Sequence, residues 1–209
     1  MKRPDTNVLF APIAAPAVVP MRNLASLILD ELDGSISNYF GRLRFDSAEN
    51  EYDLYDESLD LQNRSHLLER VTKERNAMCK FRAPMKFANG DMYVGYWTEA
   101  DDRVTFLLEI DPAITRFIEN DLETRIPFVG FLSDIARVFD SEWFVSGLHI
   151  PWRSLSRTVF LAGKGLGPSP FVVGWKAESF NDSEIVKSIG ANPSDVQAIV
   201  PLYKFLFLM

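Results

Sequence analysis

Histidine and cysteine are nearly absent: the 209 residues hold two His (His66, His149) and one Cys (Cys79). A lone cysteine excludes an internal disulfide and any multi-cysteine zinc site. Its setting beside Met78 and Phe81 reads as a buried thiol, and a catalytic role would need His66 or His149 next to it in space. No His-x-x-x-His or His-Glu-x-x-His spacing occurs, so a zinc hydrolase is unsupported. Gly-x-Ser-x-Gly is missing, which removes the common serine-hydrolase elbow. Gly163, Gly165 and Gly167 imitate a phosphate loop. However, Pro168 stands where a dinucleotide fingerprint needs its last glycine, and no Gly-Lys-Ser/Thr ending follows. Positive charge is also in the minority, with a formal net charge of −7. Nucleic acid is therefore not the expected partner, because phosphate neutralisation requires clustered Lys and Arg. No run approaches the ~18 apolar residues of a membrane span. The expectation is a protein without catalytic, cofactor or metal residues.

What is present is a core. Apolar residues make up 47% of the chain, with sixteen Phe, four Trp and six Tyr. That composition lies far from the disordered range and suits one α+β domain over residues 1–209. Lys2 and Arg3, followed by the apolar stretch Val8–Pro20, imitate a signal peptide. Asp5 interrupts the positive region, and Pro12, Pro16 and Pro20 break the apolar helix such a peptide needs. Residues 1–20 are read as an extended arm, and the compartment as the cytoplasm.

Periodicity gives the elements. Leu24, Leu27, Ile28 and Leu32 predict a helix within 22–33, stopped by Gly34. Tyr39–Phe45 and Tyr52–Tyr55 are strand candidates. A surface helix follows over 63–76, with Asn63 or Ser65 as its cap. Strands over 79–87, 91–98 and 103–110, turned at Asn89-Gly90 and at 99–102, predict a central three-stranded antiparallel meander. Asp111-Pro112 opens a helix. A second, starting at Pro127, presents Phe128, Phe131, Leu132, Ile135, Val138 and Phe139 as one stripe, so the helices are expected on one face of the sheet. Residues 143–150, 158–162 and 171–175 read as strands, 183–189 as a helix ending at Gly190, and 200–209 as a core strand or docked helix.

The feature furthest from chance is acidic. Asp46 to Leu61 carries seven carboxylates (Asp46, Glu49, Glu51, Asp53, Asp56, Glu57, Asp60) and no Lys or Arg. Arg42 and Arg44 precede it; Arg64, Arg70, Lys73 and Arg75 follow. So concentrated a field needs a basic partner, a cation or open water. The calcium-loop spacing is absent, as is any Gly, which sets metal binding aside. Tyr52 and Tyr55 stand inside the segment, and Tyr is enriched where proteins bind one another. Glu99, Asp101 and Asp102 add a second acidic group at a turn. These twelve residues form the expected partner-binding set.

In build the chain resembles bacterial immunity proteins: some 200 residues, acidic, aromatic-rich and devoid of catalytic motifs. Thr158-Val-Phe160, Val173-Gly-Trp175 and Ile199-Val-Pro-Leu202 are similar to segments in some such families, and no site residue is carried over. The resemblance implies a toxin as partner, with a basic active site or docking surface, often a nuclease. The expected function is therefore a non-enzymatic immunity or inhibitor protein that covers a basic partner. Two other readings stay open. One is a small-molecule enzyme using Glu99, Asp101, Glu109 or His149 in a cleft beside Trp97. The other is an assembly subunit docking through Val200–Met209.

Overall fold

The computed structural model describes residues 6–58, 61, 63–85, 88–110, 122–148, 150, 153, 155–163, 169–200 and 202–208. Its strands are β1 (Thr6–Phe10), β2 (Ser35–Asp46), β3 (Glu51–Ser58), β4 (Asn76–Met85), β5 (Ala88–Thr98), β6 (Val104–Ile110), β7 (Trp143–Leu148), β8 (Ser169–Lys176), β9 (Gln197–Val200) and β10 (Tyr203–Phe207). They form one ten-stranded sheet in the order β3-β2-β4-β5-β6-β1-β7-β8-β10-β9. Every neighbouring pair is antiparallel. The described helices are α1 (Val18–Ser26, prolonged by a π turn over Leu27–Glu31), α2 (Arg64–Lys73), α3 (Leu122–Val138), α4 (Arg157–Leu161) and α5 (Asp182–Ile189). The class is α+β.

Consecutive residues along the middle strands belong to different cores, because side chains alternate between the faces of a strand. Val8, Phe10, Tyr96, Phe106, Phe144 and Phe205 lie in one buried cluster, with Leu24 of α1, Leu67 of α2 and Phe128, Leu132 and Ile135 of α3. Leu9, Trp97, Leu107, Val145 and Trp175 lie in another, with Phe160 of α4, Phe180, and Ile185 of α5. This explains why β1, β6 and β7 each bury three consecutive apolar residues, Val8–Phe10, Phe106–Leu108 and Trp143–Val145: both of their faces are covered. Aromatic stacking closes each layer. Phe106 stacks on Phe139 at 4.2 Å on one side, and Trp143 on Phe160 at 4.5 Å on the other. Some polar groups that enter the core are paired: the Tyr203 hydroxyl donates to the Ser141 carbonyl at 2.7 Å, and the Ser141 hydroxyl to the Trp143 carbonyl at 2.8 Å.

Helix ends follow local chemistry. The Asn63 side chain accepts from the His66 N–H and opens α2, and the Asn181 side chain accepts from the Ser183 N–H and opens α5. Gly190 at φ 77° closes α5, a conformation that favours glycine.

Several expectations are corrected. Residues 1–20 are not simply an extended arm: Thr6–Phe10 is a strand at the middle of the sheet, and α1 begins at Val18. Helices cover both faces rather than one, as the two clusters require. Asn89 and Gly90 are not the hairpin turn; they pair with Pro84 and Ala83 inside the ladder, and the chain reverses between Met85 and Ala88. The residues expected as a strand over 158–162 form α4, where the Ser156 side chain caps the Val159 N–H at 3.3 Å. α3 starts before Pro127 and carries that proline in its second turn. The helix expected from Asp111-Pro112 lies outside the described residues. Within the apolar terminal run, expected as a core strand or docked helix, Tyr203–Phe207 is strand β10, held between β8 and β9 with Phe205 and Leu206 buried.

Candidate functional site

Over 46–58 the acidic segment is the turn and second strand of the β2–β3 hairpin, and β3 forms one outer edge of the sheet. Its turn is built locally: the Asp46 carboxylate accepts from the Ala48 N–H at 2.7 Å, and Asn50 takes a left-handed φ of 55°. Such an Asx turn suits Asp and Asn. Cross-strand partners set the two faces. Phe45 opposes Tyr52, and Arg44 opposes Asp53. Tyr52 packs against Phe45 at 5.3 Å and stacks on the buried Trp97 of β5 at 5.0 Å, so an aromatic series runs from solvent into the core. Burial of the Tyr52 ring, then the nearby Glu99 carboxylate, raises its phenol pKa. On the other face the Arg44 guanidinium lies 5.7 Å from the centre of the Tyr55 ring. A register shift pairs Leu43 with Leu54 but Arg42 with Asp56, which leaves Tyr55 as the extra residue of a β-bulge.

Of the basic residues that flank the acidic segment in sequence, Arg44 stays on the hairpin, opposite Asp53 and over the Tyr55 ring, while four others pair with carboxylates outside it. Arg42 pairs with Glu74 at 2.9 Å, Arg64 with Asp30, Lys73 with Glu69, and Arg75 with Asp102. Arg70 lies over the Phe40 ring. Glu49 and Asp53 are exposed, and no ion pair between described residues reaches either of them. Glu57 is exposed and accepts from the Tyr39 hydroxyl; burial and then that carboxylate hold the Tyr39 phenol well above its ordinary range. Glu51 and Asp56 occupy strand positions in β3, and Asp60 lies outside the described residues. Among the described residues, six large apolar side chains are notably exposed, and two of them, Phe45 (46%) and Tyr55 (53%), are on this hairpin.

The second acidic group behaves differently. Asp101 is paired with Arg103 at 2.7 Å, and those bonds outweigh burial to hold its carboxyl below the ordinary range. Asp102, at φ 61°, is paired with Arg75. Glu99 is half-buried and accepts from the Thr105 hydroxyl at 2.9 Å, yet burial outweighs that bond and raises its pKa. The fold brings the two groups to one end of the sheet, since Tyr52 bridges from the hairpin to Trp97 and Glu99. Between them lies an open depression of about 680 Å³ lined by Asn50, Glu99, Asp101, Arg103, Leu155 and Val159.

Catalytic alternatives gain little from the rest. Cys79 is fully buried, which pushes its thiol pKa up, and His66 is exposed on α2. His149 lies outside the described residues. Among the described residues, no group of three His, Cys, Asp or Glu could hold a metal ion. No described helix is long and apolar enough to cross a membrane.

Sequence reasoning missed one arrangement. Tyr93 opposes both Lys80 and Glu109 across the ladders, and Glu109 also opposes Asn7. Tyr39 meets Tyr93 edge-on at 5.6 Å, while Lys80 and Arg82 both hold Asp91, at 2.6 and 3.2 Å. Burial raises the Asp91 pKa, but the two cations outweigh it and leave it lowered. The result is a polar row across the sheet on the side away from α1–α3. Its members come from five strands, one or two from each, so no local pattern announces them.

Set against protein families, curated proteins and solved structures, the chain has no match in any of the three comparisons.

Proposed function

We propose that this chain is a non-enzymatic binding protein that covers a basic surface on another protein, as an immunity or inhibitor protein neutralises a cognate toxin. The observation that supports the proposal is the β2–β3 hairpin, where no ion pair between described residues reaches Glu49 or Asp53, beside the exposed rings of Phe45 and Tyr55. Aromatic side chains supply contact area at binding hot spots, and surrounding carboxylates steer a basic partner and fix its register. Arg64 and Arg75 are paired with carboxylates outside the hairpin, and Arg44, opposite Asp53, forms no ion pair with it.

The test is a paired capture experiment in lysate of the source cells. Tagged wild type and the Glu49→Lys/Asp53→Lys double variant are compared at low and high salt. A single basic protein retained by wild type, released by salt and lost by the variant supports the reading. Equal retention by both proteins, or none by either, overturns it. With the purified partner, association should slow by about tenfold or more in the variant, because steering acts mainly on the on-rate.

A second reading has one observation in its favour: Glu99 and Asp101 are pushed in opposite directions beside an open depression, as an acid and a base can be. Asp101 is saturated by Arg103, which weakens its use as a base. Turnover of a small substrate abolished by Glu99→Gln, with folding intact, would favour this reading over the first.

A further inference from the structure

The two edges of the sheet are unequal. β9 closes one end with four residues, Gln197–Val200; β3 closes the other with eight, Glu51–Ser58. In an antiparallel ladder alternate residues turn their N–H and C=O groups away from the neighbour, so an edge of this length offers about four residues' worth of unpaired backbone. Among the described residues nothing pairs with that side of β3.

Natural edges are usually defended by lysine, proline or a bulge. β3 has a bulge at Tyr55, leaving Glu51–Leu54 as an unbroken stretch in register with Leu43–Asp46. In place of lysine it carries carboxylates: Glu51, Asp53, Asp56 and Glu57 are half of its residues, and none is basic. Two copies of β3 laid side by side would set acid against acid, and like charges placed opposite one another destabilise a strand pair. An acidic incoming strand is rejected for the same reason. An extended strand carrying Lys or Arg at alternate positions is matched.

From this edge and its charge we infer that β3 docks an extended basic segment of the partner as an eleventh strand, with main-chain hydrogen bonds along Glu51–Leu54. The alternating cations of that segment meet Asp53 and its neighbours, and the exposed Tyr55 ring at the bulge offers a further face for a cation. The inference rests on the basic-partner reading above and adds the mode of attachment to it.

The test uses the full chain and a synthetic peptide of alternating lysine and valine. Two controls accompany it: the same peptide N-methylated on the backbone at every second residue, and a version with glutamate in place of lysine. Binding is followed by fluorescence anisotropy, and hydrogen exchange is read at the amides of 51–58. The expected result is that the lysine peptide binds and slows exchange along β3. N-methylation and the glutamate exchange should each weaken binding by about tenfold or more. Equal binding of the methylated peptide would mean that charge alone attracts it and would overturn strand addition. So would absence of peptide binding, or self-association of the chain through β3. The two proposals fail separately. If a captured partner is lost on reversing Glu49 and Asp53 while the methylated peptide binds as well as its parent, the function stands and the eleventh strand does not.

Discussion

Strands β1 and β3 belong to the same sheet and are built on opposite rules. β1 is five residues long, lies between β6 and β7, and buries Val8, Leu9 and Phe10 to within 1% of completely. β3 is longer, lies at the rim, and gives half its positions to carboxylates. A carboxylate at the position of Leu9 would lose its water with no partner to replace it, a penalty of several kcal/mol (~2–7 even for a neutral polar group). At Asp53 the same group stays hydrated and perturbs the fold little. The middle of the sheet can thus hold the molecule together while its rim is free to carry charge for another purpose. If this division is real, stability and binding should be separable by mutation.

The strongest way to break the comparison is at the centre. Phe139 stacks on Phe106 and meets Phe10 edge-on at 5.1 Å, with 1% exposure. Phe139→Ala should cost about 3–5 kcal/mol, read as a lower midpoint in urea, because a buried aromatic is lost and the space only partly collapses. Partner capture per folded molecule should be unchanged. Gly174 offers a milder probe. It lies under the ring of its cross-strand partner Phe144, where an added Cβ would come within 2.2 Å of the ring. Gly174→Ala should cost about 1–3 kcal/mol by forcing that ring aside. A variant as stable as wild type would show that this part of the core yields more easily than its packing suggests.

Glu99 lies between the two regimes, and pH sharpens its position. Burial raises its folded pKa above the ordinary carboxylate value, so between those two values the folded state binds more protons than the unfolded. Its contribution to stability therefore falls as pH rises through that window and is fully restored below it. Glu99→Gln removes the effect. The difference in melting temperature between variant and wild type, followed from about pH 4 to about pH 8, should move in the variant's favour with rising pH. Asp91, whose lowered pKa acts in the opposite sense, is common to both proteins and cancels in the difference.

How far the sequence revealed this division depends on how local each signal was. The stripe of α3, the Asn63 cap, the Gly190 stop and strands β2, β3, β6 and β8 were legible because each rests on neighbours along the chain. The acidic hairpin was legible for the same reason. What escaped was set by tertiary pairing. Nothing in Thr6–Phe10 says that two strands from distant parts of the chain will enclose it; the three prolines that follow suggested an arm instead. Thr158–Ala162 has strand-like residues, but the Ser156 cap and the contact of Phe160 with Trp143 make it a helix. Asn89-Gly90 has favoured turn chemistry, yet the register of β4 and β5 moves the reversal earlier. The pairing of Asp102 was equally hidden, because Arg75 reaches it from 27 positions away, whereas Asp101 pairs with the Arg103 side chain of its own turn. Within the predicted partner-binding set, Asp101 and Asp102 are thus paired with arginines, while no ion pair between described residues reaches Glu49 or Asp53.

The smallest expected change in stability is the most informative. Asp53 is exposed, faces Arg44 across the ladder without an ion pair, and sits on an edge strand. Asp53→Lys should shift stability by no more than about 0.5 kcal/mol, the usual range for a surface substitution away from caps and buried networks. It nevertheless reverses charge in the middle of the stretch Glu51–Leu54, so association with a basic partner should slow and lose part of its salt dependence. Asp101→Lys carries the same nominal charge change at the other acidic group but removes a carboxylate already neutralised by Arg103. If both variants slow association equally, net charge alone governs encounter and the hairpin has no special standing. A larger effect at Asp53 than at Asp101, with both proteins folded, locates the docking surface on the rim strand.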